Sequence, residues 1–547
     1  MCGIFAFLNN HKINNDTFKN LTELSNKIKH RGPDMTSNIL INDNKFFLGF
    51  NRLCVQDLSD DGMQPFKIDN CYSICNGEIY NVEKLRKKYD LKLHSDCDTE
   101  IIIPLVNKIG LKRACQEMDG VFSFIMINSD KEILVGRCPF GLRALYVGHE
   151  KGPGNSLYFS SEMKALPSDL IVKPFPPGCF AVYNLNKTET IERFYDCKYD
   201  NTIHMPYETF QKMIKTKLED AVEKRLISDR PIGCLLSGGL DSSIIASILS
   251  NKFNKIGKTL STFSVGLEGS EDIIAAEKVA NYLGTNHHTV IVSEKEMLDA
   301  IPDDIYHIES YDITTVRAST PMFLLSKYIS NNTNITVLFS GEGSDEASGS
   351  YMYFHNAPDK DSFKLETERL LSELYRYDVL RCDKSTAAFG LEVRVPFLDK
   401  DFIDFYMNVP TEYKMTNNDI EKKLLRLAFS NDLPNEIVWR TKEGMSDGVS
   451  TLKKPWYSII QSYVETFYTD NDYLKYKQSI NTPTNKESLH YREIFNNFFP
   501  NKESIIPHFW LPKWSGDTNE PSARILESFK RNKVNCNIEN NNQSLKM

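Results

Sequence analysis

No stretch of this 547-residue chain approaches the 18 or more consecutive apolar residues that a membrane span requires. Segments 101–106 and 121–127 are among the longest candidates, so no membrane partner is expected. The opening Met1-Cys2-Gly3-Ile4-Phe5-Ala6-Phe7-Leu8 lacks the basic flank and full apolar run of a secretory signal and reads as a short buried strand. No Cys-x-x-Cys pair occurs among the 12 cysteines. The closest two, Cys71 and Cys75, have no histidines placed to complete a zinc site. They read as small buried hydrophobes in a reducing compartment, which points to the cytoplasm. A basic excess is missing as well. Lys plus Arg number 65 against 73 for Asp plus Glu, a net charge of −8, so bulk electrostatics exclude a nucleic-acid partner. What is present is 41% hydrophobic and 25% charged residues, the composition of folded domains with real cores, in a length that suits two to four domains.

The first 195 residues are rich in short β-type runs (4–8, 46–50, 71–75, 121–127, 133–136, 157–159 and 180–184) broken by Gly, Asn, Asp and Pro clusters. Two helical patterns, 18–29 and 99–109, interrupt them without regular alternation, which favours a layered α+β domain. Segment 173–178 reads as a stiff turn and 196–206 as a polar connector. From Tyr207 the pattern changes. Phe210, Ile214, Leu218, Ala221 and Val222 form the stripe of a packed helix. Strands at 232–236, 260–267, 289–292 and 335–340 then alternate with helices starting near Ser242 and at 272–283 and 320–330, as parallel βαβ units do. Residues 360–525 read as mostly helical, and the Asn-rich tail 532–547 is expected to be disordered.

Two loops carry chemistry in the second half. Ser237-Gly238-Gly239-Leu240-Asp241-Ser242-Ser243 lies between a buried strand and a helix. Glycines admit an anion to the backbone, hydroxyls donate to it, and the helix terminus adds positive dipole. Asp241 would repel a bare phosphate, so its presence points to Mg²⁺ bridging carboxylate and pyrophosphate. The loop is not a Walker A motif, because Gly-x-x-x-x-Gly-Lys is absent. Ser340-Gly341-Glu342-Gly343-Ser344-Asp345-Glu346 follows another strand. Parallel sheets bind ligands at the carboxyl ends of their strands, so the two loops form a nucleotide–magnesium pocket, with Asp241 and Asp345 as the metal candidates. At the other end of the chain, removal of Met1 would give Cys2 a thiol and an α-amine on one residue. That amine, with a pKa of about 7.7–8.0, can activate the nucleophile.

Met1-Cys2-Gly3-Ile4, His30-Arg31-Gly32-Pro33-Asp34, Asn51-Arg52-Leu53, Cys75-Asn76-Gly77-Glu78-Ile79-Tyr80-Asn81 and Asp98-Thr99-Glu100 resemble the glutaminase half of class II glutamine amidotransferases. The two loops resemble the synthetase half of the glutamine-hydrolysing asparagine synthetase family. So do Gly390-Leu391-Glu392-Val393-Arg394-Val395-Pro396-Phe397-Leu398-Asp399 and Trp439-Arg440-Thr441-Lys442-Glu443. The resemblance implies an αββα, Ntn-hydrolase-like glutaminase domain over 2–195. Over 207–525 it implies an ATP-pyrophosphatase-type (adenine nucleotide alpha hydrolase-like) α/β domain with a helical C-terminal part. It implies glutamine, aspartate and ATP as substrates and admits a homodimer. Cys2 would attack the glutamine amide, with the Asn76 side chain and Gly77 N–H as oxyanion hole. Arg52 would clamp the α-carboxylate, and Asp98 and Glu78 would take the α-ammonium. In the second site Leu235, Val265, Ser340 and Gly341 would contact the nucleotide and Ser237, Gly239, Asp241 and Ser242 the pyrophosphate. Glu342 would assist adenylate formation, and Lys442 would neutralise phosphate charge.

Several positions depart from the family pattern. Cys138 and Ala144 stand where Asp and Pro are usual, Ala347-Ser348 replaces a Leu-aromatic pair, and Gly444-Met445 replaces Ala-Phe. None removes a group assigned to chemistry. Two alternatives remain at this level: an adenylating ligase for another carboxylate, such as a β-lactam synthetase, which would lack the N-terminal Cys; and a non-catalytic relative that senses nucleotide or glutamine.

Overall fold

A computed structural model describes residues 1–150, 156–184, 187–416, 420–516 and 518–530; the Asn-rich tail lies outside the described residues. Twelve strands build the first 195 residues: β1 (Gly3–Leu8), β2 (Met35–Ile41), β3 (Phe46–Arg52), β4 (Phe66–Ile68), β5 (Cys71–Ile79), β6 (Gly120–Ile127), β7 (Ile133–Arg137), β8 (Tyr146–His149), β9 (Leu157–Ser160), β10 (Ile171–Pro174), β11 (Cys179–Asn184) and β12 (Lys187–Arg193). They form two six-stranded antiparallel sheets in the orders β10-β8-β9-β1-β3-β2 and β12-β11-β7-β6-β5-β4. Pleating sends alternate side chains to opposite faces. Ile4, Ala6 and Leu8 of β1 therefore meet Ile74, Ile125, Ile127 and Val135 of the other sheet in one shared core. Phe5 faces the other way, meeting Phe47 at 5.8 Å beneath helix Asn15–Asn26. Helices Ile102–Ile109 and Leu111–Glu117 cover the outer face of the second sheet. The layering is αββα, and β1 is apolar on both faces because both faces are covered.

The strands missed in the sequence (β2, β4, β8, β10 and β12) are short or polar and lie mostly at the sheet edges, where one face meets water and the apolar signal halves. Residues 173–174, read as part of a turn, complete β10. The first helix starts earlier than its apolar pattern, at Asn15, because the Asn14 side chain caps the Thr17 N–H at 2.8 Å. The 99–109 helix is split. Its first turn is a 3-10 turn, Asp98–Ile101, held by the Asp98 carboxylate accepting from Ile79 N–H.

Five parallel strands, β13 (Ile232–Leu235), β14 (Ser261–Gly266), β15 (Asn286–Ile291), β16 (Val337–Phe339) and β17 (Glu392–Arg394), make the sheet of the second half. Their order is β15-β14-β13-β16-β17. The chain runs outward from β13 to one side and then continues on the other, so the strand order reverses between β13 and β16 while all strands stay parallel. Ligands bind at such switch points. Strand β17 corrects the helical reading of 360–525. Glu-Val-Arg carries no strand signal, yet it is fully buried because both charges are paired inside. Residues 196–206 carry no regular element, as a connector would, but they are not all solvent-facing: Cys197 and Tyr199 are buried.

The two halves meet through charges cut off from water. Arg31 pairs with Glu162 at 2.7 Å and with Asp383 at 2.8 Å, and Arg143 reaches the same aspartate at 3.1 Å. Lys384 binds Glu309 at 2.5 Å and donates to Tyr146 at 2.8 Å. Removing one member of a buried pair leaves the other uncompensated, at about 3–5 kcal/mol. Asp383→Ala should therefore lower the denaturation midpoint severely in urea titrations followed by fluorescence, whereas Lys295→Ala, which breaks an exposed pair with Asp299, should leave it nearly unchanged.

Candidate active sites

All eleven residues assigned to the second site line one cleft: Leu235, Ser237, Gly239, Asp241, Ser242, Val265, Ser340, Gly341, Glu342, Asp345 and Lys442. Phe263, Met322, Leu325 and Val449 supply an apolar wall. The first loop leaves β13 and enters helix Leu240–Lys255. Gly238, at φ +70°, passes so close to helix Glu271–Leu283 that a Cβ would lie 2.4 Å from the Ala276 nitrogen. The second loop leaves β16 and leans on the first: a Cβ on Gly341 would lie 2.7 Å from Ser242 N. Ser344 donates to Asp241 Oδ1 at 2.7 Å, locking loop to loop.

The carboxylates of the two loops are joined by lysines. Lys422 Nζ lies 2.6 Å from Asp241 and 2.5 Å from Asp345, and Lys442 Nζ lies 2.6 Å from Asp345. Burial opposes ionisation of Asp345, yet the two lysines hold it well below the usual carboxylate range. Burial likewise disfavours charge on Lys442, and Asp345 and Asp241 outweigh it, raising the ammonium's pKa. Glu342 is gripped by both ends of the Arg381 guanidinium, at 3.0 and 2.9 Å. Lys422 and Arg381 are site residues that sequence reasoning missed. Lys422 sits in Glu421-Lys422-Lys423, a charged run that reads as solvated surface, and only the tertiary fold buries it.

Around Cys2 the geometry is set by β1 and β3, whose register pairs Gly3 with Asn51. Cys2 thus lies beside Arg52, with Sγ 3.8 Å from Leu53 O. Burial pushes the thiol's pKa up, with the amino terminus pulling against it. Arg52 donates to the carbonyls of Ser59 (2.6 Å) and Asp57. Asn76 is wholly buried on β5, and neither end of its amide has a hydrogen-bond partner among the described residues. A Cβ on Gly77 would strike Val121 O at 2.2 Å, so no side chain fits there. Glu78 accepts from Gln56 and lies 3.5 Å from Arg394 of β17. Burial, with Glu392 and Asp98 nearby, pushes the Glu78 carboxyl well above the usual range. Burial also pushes Asp98 up to about 7. The Met1 ammonium lies 3.5 Å from Glu392, whose carboxyl Arg394 and that ammonium hold down at about 2 against burial.

Glutamine amidotransferase domains match residues 1–224, and the asparagine synthase family matches residues 213–367 and 356–526. An asparagine synthetase (glutamine-hydrolyzing) of Cricetulus griseus is 41% identical over 97% of this chain and 99% of its own length. The Homo sapiens protein of the same name is 39% identical over the same shares. A probable one of Acanthamoeba polyphaga mimivirus is 42% identical over 96% and 100%. The chain belongs to the glutamine-hydrolysing asparagine synthetase family.

In this asparagine synthetase family member the departures at 138 and 144 fall on the contact between the halves. Arg137, wholly buried, binds the carbonyls of Arg143 (2.9 Å), Phe175 (2.5 Å) and Gly141 (2.7 Å) and faces the Tyr375 ring at 5.2 Å. Cys138 and Ala144 are buried beside it. Ala347 and Ser348 are buried in the short helix Ser344–Ser348, and Met445 lines the cleft.

The raised pKa of Asp98 has a measurable consequence. An unfolded aspartate releases its proton near pH 4, the folded one near 7, so the folded state binds more protons in between and stability falls as pH rises through that window. Asp98→Asn removes this titration. Its urea midpoint should decline less than that of the parent chain between about pH 4.5 and 7; parallel declines would show that Asp98 titrates normally.

Proposed function

We propose that the chain makes asparagine: aspartate, glutamine, ATP and water give asparagine, glutamate, AMP and pyrophosphate. The observation that carries the second half-reaction is the convergence of Asp241, Asp345, Lys422 and Lys442 at the mouth of two anion-binding loops. The αββα layering with an N-terminal nucleophile supports an Ntn-hydrolase-like glutaminase over 2–195. The parallel sheet with its switch-point cleft supports an ATP-pyrophosphatase-type domain over 207–525. Cytoplasmic location, small-molecule partners and a homodimer belong to the same reading; among the described residues no helix is long and apolar enough to cross a membrane.

In the first site the Cys2 thiol passes its proton to its own α-amine, free once Met1 is removed, and the resulting thiolate attacks the side-chain amide of glutamine. The Asn76 amide and Gly77 N–H stabilise the oxyanion, each donor being worth about 10²–10³ in rate. Ammonia leaves, and water releases glutamate from the thioester. Asn76 suits this task because its buried amide is uncommitted. Arg52 binds the α-carboxylate, a planar fork meeting two oxygens, while Asp98 and Glu78 take the α-ammonium. An arriving cation favours their ionised forms over the neutral ones that burial favours.

In the second site a carboxylate cannot expel oxide, so an aspartate oxygen first attacks the α-phosphorus of ATP and pyrophosphate leaves. Ammonia then attacks the acyl carbon of β-aspartyl-AMP, and AMP leaves. Leu235 and Val265 border the nucleoside, and Ser237, Gly239, Ser242, Ser340 and Gly341 line the phosphates. Lys442 and Lys422 offset phosphate charge. Glu342, held by Arg381, lies where the adenylate forms. Asp241 and Asp345 fit Mg²⁺, which uses one or two carboxylates together with phosphate oxygens and would supply charge neutralisation at the leaving pyrophosphate. Among the described residues no three acidic, His or Cys groups are placed to hold a metal unaided, which suits an ion that arrives on the nucleotide.

Two variants separate the half-reactions. Cys2→Ala should yield no glutamate from glutamine but still convert ammonium to asparagine, increasingly so from about pH 7 towards 9 as more free amine is present. Asp241→Asn should do the reverse, hydrolysing glutamine while asparagine and AMP formation collapse. Incubation of the parent chain with aspartate, ATP and ¹⁵N-amide glutamine should place label in asparagine. Glutamine hydrolysis that survives in Cys2→Ala, or label in the amide of a different carboxylate, would overturn the assignment.

A further inference from the structure

The wall of the cleft that carries Lys442 has little structure of its own. Residues 439–444 belong to no helix or strand, and helix Met445–Gly448 is a single turn. Residues 442–446 and Val449 nevertheless line the cleft. Two contacts hold the start of this wall: Arg440 pairs with Asp272 at 2.9 Å, and the Lys442 N–H donates to Glu421 at 3.1 Å. The stretch from Glu443 onward is gripped by Arg524, 81 residues further along the chain.

Arg524 spends all three guanidinium nitrogens on it. Nε and Nη2 donate to one Glu443 oxygen at 3.2 and 2.6 Å. Nη1 donates to Ser450 Oγ at 3.2 Å and to the Thr451 carbonyl at 2.9 Å, and Nη2 also meets the Ser450 carbonyl at 3.1 Å. Two residues earlier, Ser522 donates to Asp447 at 2.6 Å. The gripping segment is itself anchored, since Glu520 accepts from Arg317 at 3.0 Å. Arg317 belongs to helix Ile313–Asn332, whose Met322 and Leu325 are part of the apolar wall. Residues 520–524 therefore tie one wall of the cleft to another.

We infer that Arg524 is a positioning residue of the synthetase site, acting through Glu443 to keep Lys442 where it meets the phosphates. The inference rests on Lys442 having that role. The side chains of Glu443 and Arg524 are each 5% exposed. A carboxylate so placed cannot stay charged without a partner. Loss of the guanidinium obliges Glu443 to turn towards water, and Lys442, about 3.8 Å away along the backbone, is carried with it. A cation that offsets charge developing in a transition state must be in place before the chemistry begins. Its displacement therefore costs rate rather than substrate affinity.

The test is ammonium-dependent asparagine synthesis by Arg524→Gln, Glu443→Gln, the double variant, Arg524→Lys and Lys442→Met. Glutamine hydrolysis reports on the other half, and limited trypsin digestion reports on the wall. Arg524→Gln should lower kcat about 10- to 100-fold, the range of a charge-assisted hydrogen bond, at unchanged KM for ATP and aspartate. Glutamine hydrolysis should not move. Trypsin should cut this variant after Arg440 or Lys442 well before other sites, where the parent chain resists. The double variant should lose far less than the product of the two single losses, because a neutral side chain at 443 needs no counter-charge. Arg524→Lys, which keeps the charge, should regain part of the rate. Full kcat in Arg524→Gln beside a collapse in Lys442→Met would overturn the role of Arg524 and leave that of Lys442 standing. Full kcat in Lys442→Met would overturn both. A rise in KM alone, multiplicative losses in the double variant, or digestion spread evenly over the chain would mark a general packing role and sink the inference.

Discussion

Arg31 reaches in three directions from a position closed to water. Its guanidinium donates to the Cys2 carbonyl at 3.1 Å, to Glu162 at 2.7 Å and to Asp383 of the second half at 2.8 Å. A buried guanidinium cannot be left half-paired, so these contacts hold or fail together. The consequence is mechanical. The backbone of Cys2, the wall of the antiparallel sandwich and the helix that carries Asp383 are pinned to one another, and neither half can shift without stranding charge. Arg143 shares Asp383 at 3.1 Å and donates to the Val393 carbonyl at 3.2 Å, which brings β17 into the same arrangement.

Strand β17 is where the two sites come nearest to sharing a residue. The Arg394 carbonyl accepts from Ser340 N–H at 2.9 Å, at the start of the second loop of the cleft. Its guanidinium pairs with Glu392 at 2.8 Å and approaches Glu78 of β5 at 3.5 Å. A three-residue strand at the edge of one domain's sheet thus forms part of the floor of the other domain's site. Its charges are tolerated inside because each meets an opposite charge. The same rule governs the cleft, where Lys422 and Lys442 offset Asp241 and Asp345. The cleft therefore holds charges already paired within the protein, and a charged group that enters and takes over one of those partners faces a smaller desolvation cost than a bare charge would face.

Much of this was legible in the sequence because the chemistry is local. Ser237–Ser243 and Ser340–Glu346 are contiguous, and each is bounded by a buried strand whose apolar run is readable, so the cleft residues could be named before any contact was known. Cys2, Asn76 and Gly77 belong to short motifs of the same kind. Edge strands such as β4 and β10 were hidden because part of each faces water and leaves no readable apolar run. Lys422 and Arg381 were hidden for another reason. Each lies in a segment whose composition matches ordinary surface helix, and its role depends on a partner at a distant position.

The sequence by itself determined the two classes of domain, the order in which they occur and the two loops that line the cleft, since each follows from residue types within a few positions of one another. Only the tertiary structure decided that 392–394 would be a strand rather than part of a helical region. It alone decided that a lysine in a charged run would be buried between two aspartates. Those outcomes depend on which charges can be paired out of water and on which strand lies opposite which, and both are properties of the assembled sheets.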